Sequence, residues 1–228
     1  MIRFDSWHGE FGWEIMSWAP LCRKQAQDHS CSVATSFPGM APLYADFAEF
    51  EAHDATSRSL TYPKTYRVGD QGLFHKYGTQ KNAVDVLIHV RQARRKANIN
   101  YLHWGTIMDA LRGFRVGVVG TAEDGLLKGA EDFRCLPLQE LMDIMAGAAV
   151  TVGCSSGVMH LAAACGCNLV VWGDNRTYFS ETLEKRYKET WNPFRVDVGY
   201  ASADDWQPEP RRVLDLIGDQ VTALSKGP

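Results

Sequence analysis

Short β-branched runs alternate with stripes of helical period along the chain. Ile2 to Trp7 predicts a first strand, Trp13 to Gln27 a helix with Trp13, Met16 and Leu21 near one face, and Ser32 to Ser36 a second strand. Pro20 is expected to kink that helix or end its first segment. After the breaker Phe37-Pro38-Gly39, the residues Leu43, Phe47 and Phe50 fall at i, i+4 and i+7, which predicts a helix over 43–52. Residues 54–83 are polar and aromatic, carry Pro63 and three glycines, and read as a linker.

Val84 to Val90 resumes the strand pattern, followed by a basic turn, Arg91 to Lys96, a helix over about 101–111 and a strand from Arg115 to Val119. Leu138, Leu141, Met142 and Met145 mark an amphipathic helix over 138–147. The next stretch, AVTVGCSSGVMHLAAACGCNLVVWGD over 149–174, organises the rest. Ala149 to Val152 and Asn168 to Trp172 suit buried strands. Between them lie a small-residue turn, a short helix carrying Met159, Leu161, Ala162 and Ala163, and a helix-stopping glycine at 166. This is one βαβ unit. Ser155 or Ser156 is expected to cap its helix, whose first N–H groups suit a phosphate. Residues 180–190 read as helical, and Val213, Ile217, Val221 and Leu224 form the stripe of a closing helix started by Pro208 and Pro210.

Strands alternating with helices imply an α/β protein with mainly parallel sheets. The order suggests two Rossmann-like halves: a small N-terminal half over 1–78 and a second over 79–228, with the closing helix free to cross back.

Composition narrows the field. The 228 residues are 45% hydrophobic and carry a net charge of −3, so they can build a core and give no global electrostatic case for nucleic acid or anionic membrane as partner. No apolar run approaches the roughly 20 residues of a membrane span. The opening MIRFDSWHGE has no signal-peptide core. Six scattered cysteines, with only the tight pair Cys165 and Cys167, form no zinc pattern, and most of them read as reduced, buried residues. A cytoplasmic protein is the expectation.

Ser155-Ser156-Gly157-Val158-Met159-His160-Leu161-Ala162-Ala163-Ala164 resembles the D-S-G-x-M-H-L-A-A-A signature of heptosyltransferase-type glycosyltransferases (glycosyltransferase family 9-like), with Ser155 where the family usually has Asp. The resemblance implies a compact two-domain GT-B fold and a nucleotide-diphosphate sugar as co-substrate, with no further cofactor. It also implies transfer of the sugar to an acceptor hydroxyl, with the signature contacting the donor diphosphate. The acceptor would be a saccharide, or a hydroxymethylated base in DNA, as for small viral enzymes of this fold. A second class of reading is a non-catalytic nucleotide-sugar binding module; a third is an epimerase or hydrolase.

The candidate residues follow. Gly9-Glu10-Phe11-Gly12-Trp13-Glu14 resembles the G-E-x-G-x-E loop at the start of several GT-B-like enzymes. Its glycines, Gly9 and Gly12, allow close approach to a nucleoside or sugar. Glycosyl transfer needs a base for the acceptor proton, and Glu10 is the first candidate, with Asp5, His8 and Glu14 in reserve. Alternatively, Glu10 and Glu14 are simply acids at a helix N-terminus. Arg91, Arg94 and Arg95 are candidates to grip the diphosphate together with Ser155, Ser156, Gly157 and His160; a solvated basic loop is the competing reading. His160 could donate to phosphate or brace the turn. Asp174 could bind a ribose or sugar hydroxyl, or be a turn residue. No DxD pair occurs, and Asp204-Asp205 is adjacent rather than alternating, so no metal is expected.

Overall fold

The computed structural model describes residues 1–59, 72–79, 84–94, 97–98, 100–174, 177–178 and 181–225. Two parallel sheets carry the fold. The smaller has three strands in the order β1 (Ile2–Arg3), β2 (Ser32–Ser36), β3 (Glu49–Ala52). The larger comprises β4 (Val86–His89), β5 (Val116–Gly120), β6 (Glu131–Arg134), β7 (Val150–Cys154), β8 (Asn168–Gly173) and β9 (Val198–Ser202). Its strands lie in the order β9-β8-β7-β4-β5-β6, all parallel. The first strand of this sheet therefore sits at its centre and the chain winds outward on both sides, which is the Rossmann order. Every residue of β4 and β7 is buried, on both faces of the pleat, so the sheet is covered on both sides.

Between β1 and β2 one continuous helix runs through α1 (Phe11–Trp13), a π-helical turn (Glu14–Trp18) and α2 (Ala19–Ala26). Pro20 lies just after the widened turn, and the helix runs on through it. The predicted helix over 43–52 does not form. Ala41–Leu43 is a single 3-10 turn and Glu49–Ala52 is β3, in register with Val33 to Ser36. The i, i+4, i+7 spacing misled because Tyr44 and Phe47 belong to the turn while Phe50 stacks across to Tyr44 at 5.7 Å. Pairing with β2 overrode the local period.

Around the larger sheet are α3 (Trp104–Ala110), α4 (Leu138–Gly147), α5 (Gly157–Ala164), α6 (Leu183–Lys185), which leads into a π-helical turn over Arg186–Thr190, and α7 (Pro210–Ser225). α5 lies on β7 and β8 beside α4, and α7 lies on β7, β8 and β9 beside α3. α5 stops as its sequence predicts. Gly166 takes φ +78°, the Gly166 N–H donates to Ala163 O at 3.1 Å, and the Cys167 N–H donates to Ala162 O at 3.0 Å. That pair of bonds is the Schellman ending.

Residues 72–79 touch both sheets' helices. The Leu73 N–H donates to Pro20 O at 2.9 Å, and the Tyr77 N–H to Ala164 O at 3.1 Å. Buried Arg23 grips this segment through Leu73 O and the Tyr77 hydroxyl, each at 2.9 Å, and pairs with Asp46 at 2.7 Å. Among the described residues no helix is long and apolar enough to cross a membrane.

Candidate functional site

The strand order places a topological switch point between β4 and β7, and ligands of such sheets bind outside the carboxyl ends of the strands there. β4 delivers His89 and then Arg91; β7 delivers Ser155, Ser156 and Gly157. These residues are knitted together. The Arg91 guanidinium donates to Ser155 O at 2.9 Å, and His89 Nδ1 lies 3.0 Å from Ser156 Oγ. The Tyr187 hydroxyl donates to Ser155 Oγ at 3.1 Å and accepts the Ser156 N–H at 3.3 Å. Ser156 occupies the N-cap position of α5, yet its hydroxyl bonds His89 and not a helix N–H, so the expected side-chain cap is absent. The first helical bond of α5 runs from the His160 N–H to Ser156 O at 3.3 Å. The N–H groups of Gly157, Val158 and Met159 precede it, and are the donors that a helix start leaves over.

The turn after β1 comes to the same place. A Cβ on Gly157 would lie 2.9 Å from Phe11 Cδ1 and 3.2 Å from Gly12 N; a Cβ on Gly12 would lie 2.7 Å from His160 Cδ2. Only glycine at both positions lets the two helix starts approach this closely. The first helical bond here is from the Glu14 N–H to Glu10 O at 3.1 Å. Two helix N-termini, one from each sheet, thus converge with their leftover N–H groups and positive dipole ends.

The carboxylates of the first turn have opposite environments. Glu14 is wholly buried: it accepts from Arg58 Nη1 at 2.8 Å, from the Tyr44 hydroxyl at 2.9 Å and from the Ser36 hydroxyl. It is a structural anion, not an exposed acid at a helix end. Glu10 is half-buried, and its carboxylate has no hydrogen-bond partner among the described residues. Gly9 is buried beside it, with a Cβ position only 2.5 Å from the Trp7 ring, and its carbonyl accepts from Arg58 at 3.0 Å. His8 is exposed and stacked on His53 at 4.3 Å, and Asp5 is exposed with no hydrogen bond to the 155–160 turn among the described residues.

His160 is nine-tenths buried. Its ring stacks on Tyr187 at 5.1 Å and meets Trp191 edge-on at 4.6 Å, and its Nδ1 has no hydrogen-bond partner among the described residues. Burial, with the nearby Arg186 charge, pushes its pKa down to about 3, so it is a neutral imidazole at pH 7. Asp174 lies buried at the carboxyl end of β8, where its carbonyl accepts the Tyr200 hydroxyl at 3.1 Å. The backbone of Arg94 pairs with Ala97 in a two-stranded ribbon; Arg95 lies outside the described residues. No group of three or more His, Cys, Asp or Glu is placed to hold a metal among the described residues.

The structure therefore brings together Gly12, Arg91, Ser155, Ser156, Gly157 and His160, with Glu10 at the N-cap two residues before Gly12, while Gly9 packs on Trp7, His8 stacks on His53 and Asp5 is exposed. It adds residues that the sequence did not single out: Arg58, His89, Asp124 and, as a brace for the turn, Tyr187. Tyr187 lies in the stretch 180–190 that the sequence reads as helical. The others carried no local signal, because their partners are 44, 67 and 35 positions away.

No family model and no curated sequence matches the chain. Solved structures do. TibC, an iron-containing dodecameric heptosyltransferase of enterotoxigenic E. coli solved with ADP-D-beta-D-heptose, superposes with a TM-score of 0.62 at 17% identity, over 99% of this chain and 78% of that one. The E. coli ADP-heptose lipopolysaccharide heptosyltransferase II gives 0.61 at 11% identity, over 98% of each chain. A family 9 glycosyl transferase of Veillonella parvula gives 0.60 at 9%, over 97% and 96%. The chain has a heptosyltransferase-type fold. In this GT-B-like frame the smaller sheet contributes the Gly9–Gly12 turn, and the larger contributes the 155–160 turn.

Proposed function

We propose that the protein is a glycosyltransferase that moves a sugar from a nucleotide-diphosphate donor to an acceptor hydroxyl. The observation that carries this reading is the convergence of two helix N-termini at the switch point, across Gly12 and Gly157, with the carboxylate of Glu10, unpaired among the described residues, in the same turn. In this reading residues 1–78 form the acceptor side and 79–228 the donor side. The donor diphosphate lies against the N–H groups of Gly157 and Val158, with Arg91 adding charge from the β4 side. Glu10 takes the acceptor proton as the acceptor oxygen bonds to the anomeric carbon, and the bond from that carbon to the diphosphate oxygen breaks. The leaving charge is met by helix dipoles and a guanidinium, so the step is written without a metal. Glu14, wholly buried and already held by Arg58, Tyr44 and Ser36, is not open to an acceptor hydroxyl. Asp174, at the neighbouring strand end, is assigned to the ribose or sugar. A saccharide is the proposed acceptor; hydroxymethylated DNA is the alternative to be assayed beside it.

The test is a screen of nucleotide sugars for binding and for transfer, with the wild type and Glu10→Gln. The reading expects Glu10→Gln to bind donor as the wild type does and to lose transfer by at least 100-fold. Donor binding without transfer to any acceptor in the wild type would favour a non-catalytic module. Free sugar released without an acceptor would mark a hydrolase.

A further inference from the structure

The segments that follow β1, β2 and β3 lie side by side at the carboxyl ends of those strands. The Trp7 N–H donates to Thr35 O at 2.9 Å, the His53 N–H to Ser36 O at 3.0 Å and the Ser59 N–H to His8 O at 2.6 Å. Together they build an aromatic patch. The exposed His8 ring stacks on His53 at 4.3 Å, and Phe37 meets His53 edge-on at 4.5 Å. His53 is held through both nitrogens: Nε2 lies 2.8 Å from Trp7 O, and Nδ1 accepts the Ala55 N–H at 3.3 Å. His8 therefore rests on a fixed floor.

Arg58 continues the patch toward the donor turn. Its guanidinium carbon lies 4.2 Å from the centre of the Phe37 ring and 5.4 Å from that of Phe11. Nη1 is spent on Gly9 O and Glu14, at 3.0 and 2.8 Å. Nε and Nη2 have no hydrogen-bond partner among the described residues, and a quarter of the side chain is exposed. Phe11 in turn borders Gly157, whose Cβ position is 2.9 Å from Phe11 Cδ1. The patch thus starts at the donor turn, passes the turn that carries Glu10 and ends on His8.

We propose that this patch is the acceptor subsite and that it takes a neutral saccharide, with Arg58 donating through Nε and Nη2 to two adjacent sugar hydroxyls and His8 packing on the apolar face of a ring. The proposal rests on the transferase reading above.

Shape gives the two contacts. The Nε and Nη2 hydrogens of a guanidinium form a fork that meets two neighbouring oxygens at once, and this fork is held in place by two rings and two hydrogen bonds. The C–H hydrogens on one face of a sugar ring carry slight positive charge and suit the negative face of an aromatic ring, such as exposed His8.

Charge selects the class. A carboxylate or phosphate would fit the fork equally well in shape. Residues 4–14, 36–40 and 53–59, which make up the ends of the three strands and the turns after them, contain the acids Asp5, Glu10, Glu14 and Asp54, with Arg58 as their one Lys or Arg. The charge of Arg58 is already met by buried Glu14, and Asp5 and Asp54 are exposed. An anionic glycan or a DNA backbone would face this acidic surface with no spare cation, and like charges brought together reject a partner. Hydroxyl groups carry no such penalty.

The test offers three acceptor pools to the protein, with whichever nucleotide sugar binds in the screen above as donor. One holds neutral dextran and mannan oligosaccharides, one holds oligogalacturonate, and one holds duplex DNA carrying 5-hydroxymethylcytosine. We expect transfer to the neutral pool alone, with a kcat/KM that changes less than about twofold between about 50 and 300 mM salt. His8→Ala, a change at an exposed ring, should raise the KM for the neutral acceptor about 3- to 10-fold with kcat and donor Kd unchanged, and His8→Phe should restore it. Arg58→Lys keeps a charge beside Glu14 but loses the fork, and should raise the same KM by about 10-fold or more. Preferred transfer to oligogalacturonate or DNA overturns the proposal and leaves the transferase reading standing. So does a KM that neither variant moves, or a His8→Ala that loses kcat at unchanged KM, which would make His8 the base. Donor binding with no transfer to any pool overturns the proposal and favours the non-catalytic module. Failure to bind any nucleotide sugar overturns it together with the donor site. The comparison of pools with the wild type is decisive even if Arg58→Lys fails to fold.

Discussion

Gly12 and Gly157 face each other across the junction of the two sheets, so closely that the Cβ direction of Gly157 ends 3.2 Å from the Gly12 nitrogen. Neither glycine is there for a left-handed backbone; both lie at helix starts, and the missing side chains set the distance between two dipoles. The constraint is steric and can be tested as such. Gly12→Ala puts a methyl 2.7 Å from His160 Cδ2. It should destabilise the fold by about 1–3 kcal/mol. Adding His160→Ala makes room for the methyl, so the double mutant should show a favourable coupling of about 0.5–3 kcal/mol by denaturant unfolding.

Glu14 and Arg58 are a second pair whose worth lies in not being separated. Arg58→Met leaves a fully buried carboxylate with hydroxyl partners alone, and should cost about 3–5 kcal/mol of stability. The double change Glu14→Gln with Arg58→Met removes the charge as well and should recover most of that loss. A double mutant no more stable than Arg58→Met would show that Arg58 acts through its packing on Phe37, 4.2 Å from its guanidinium carbon, and not through charge.

His160 predicts a pH dependence of stability. Its folded pKa, about 3, lies below the value of about 6.5 for an unfolded chain. Between those values the unfolded chain binds a proton that the folded one refuses, so stability is full above pH 6.5 and is lost as pH falls toward 3. The wild type should lose about 2 kcal/mol more than His160→Gln between pH 7 and pH 5. Equal losses in the two proteins would show that the folded imidazole protonates without strain.

Arg91 is tied to Ser155 O, so it both braces the turn and charges it. Arg91→Ala should weaken nucleotide-sugar binding by roughly 10- to 100-fold, the range of a charge-assisted hydrogen bond. Unchanged affinity in titration calorimetry would assign Arg91 to the turn's structure alone.

Much of the larger sheet was legible because its signals are local. The 138–147 stripe, the β-branched runs at 84–90 and 149–152, and Gly166 each announce an element from within a few residues. The turn of 155–160 was legible as a strand–turn–helix junction for the same reason. What escaped depends on pairing at long range. β3 reads as a helix until β2 is beside it, and β6, Glu131–Arg134, is a charged edge strand with no apolar run. Glu14 looks like an acid at a helix start until Ser36, Tyr44 and Arg58 close over it. Asp124 and His89 are unremarkable in sequence, and they meet Ser156 only because β4, β5 and β7 are neighbours in the sheet.

The central claim is that two helix N-termini hold one diphosphate, and the most direct measurement is a crystal structure with a bound nucleoside diphosphate or nucleotide sugar. The account predicts phosphate oxygens within about 3 Å of the Gly157 and Val158 nitrogens, with Glu10 facing the sugar side. A diphosphate bound elsewhere, with the Gly12–Gly157 junction empty, would contradict it.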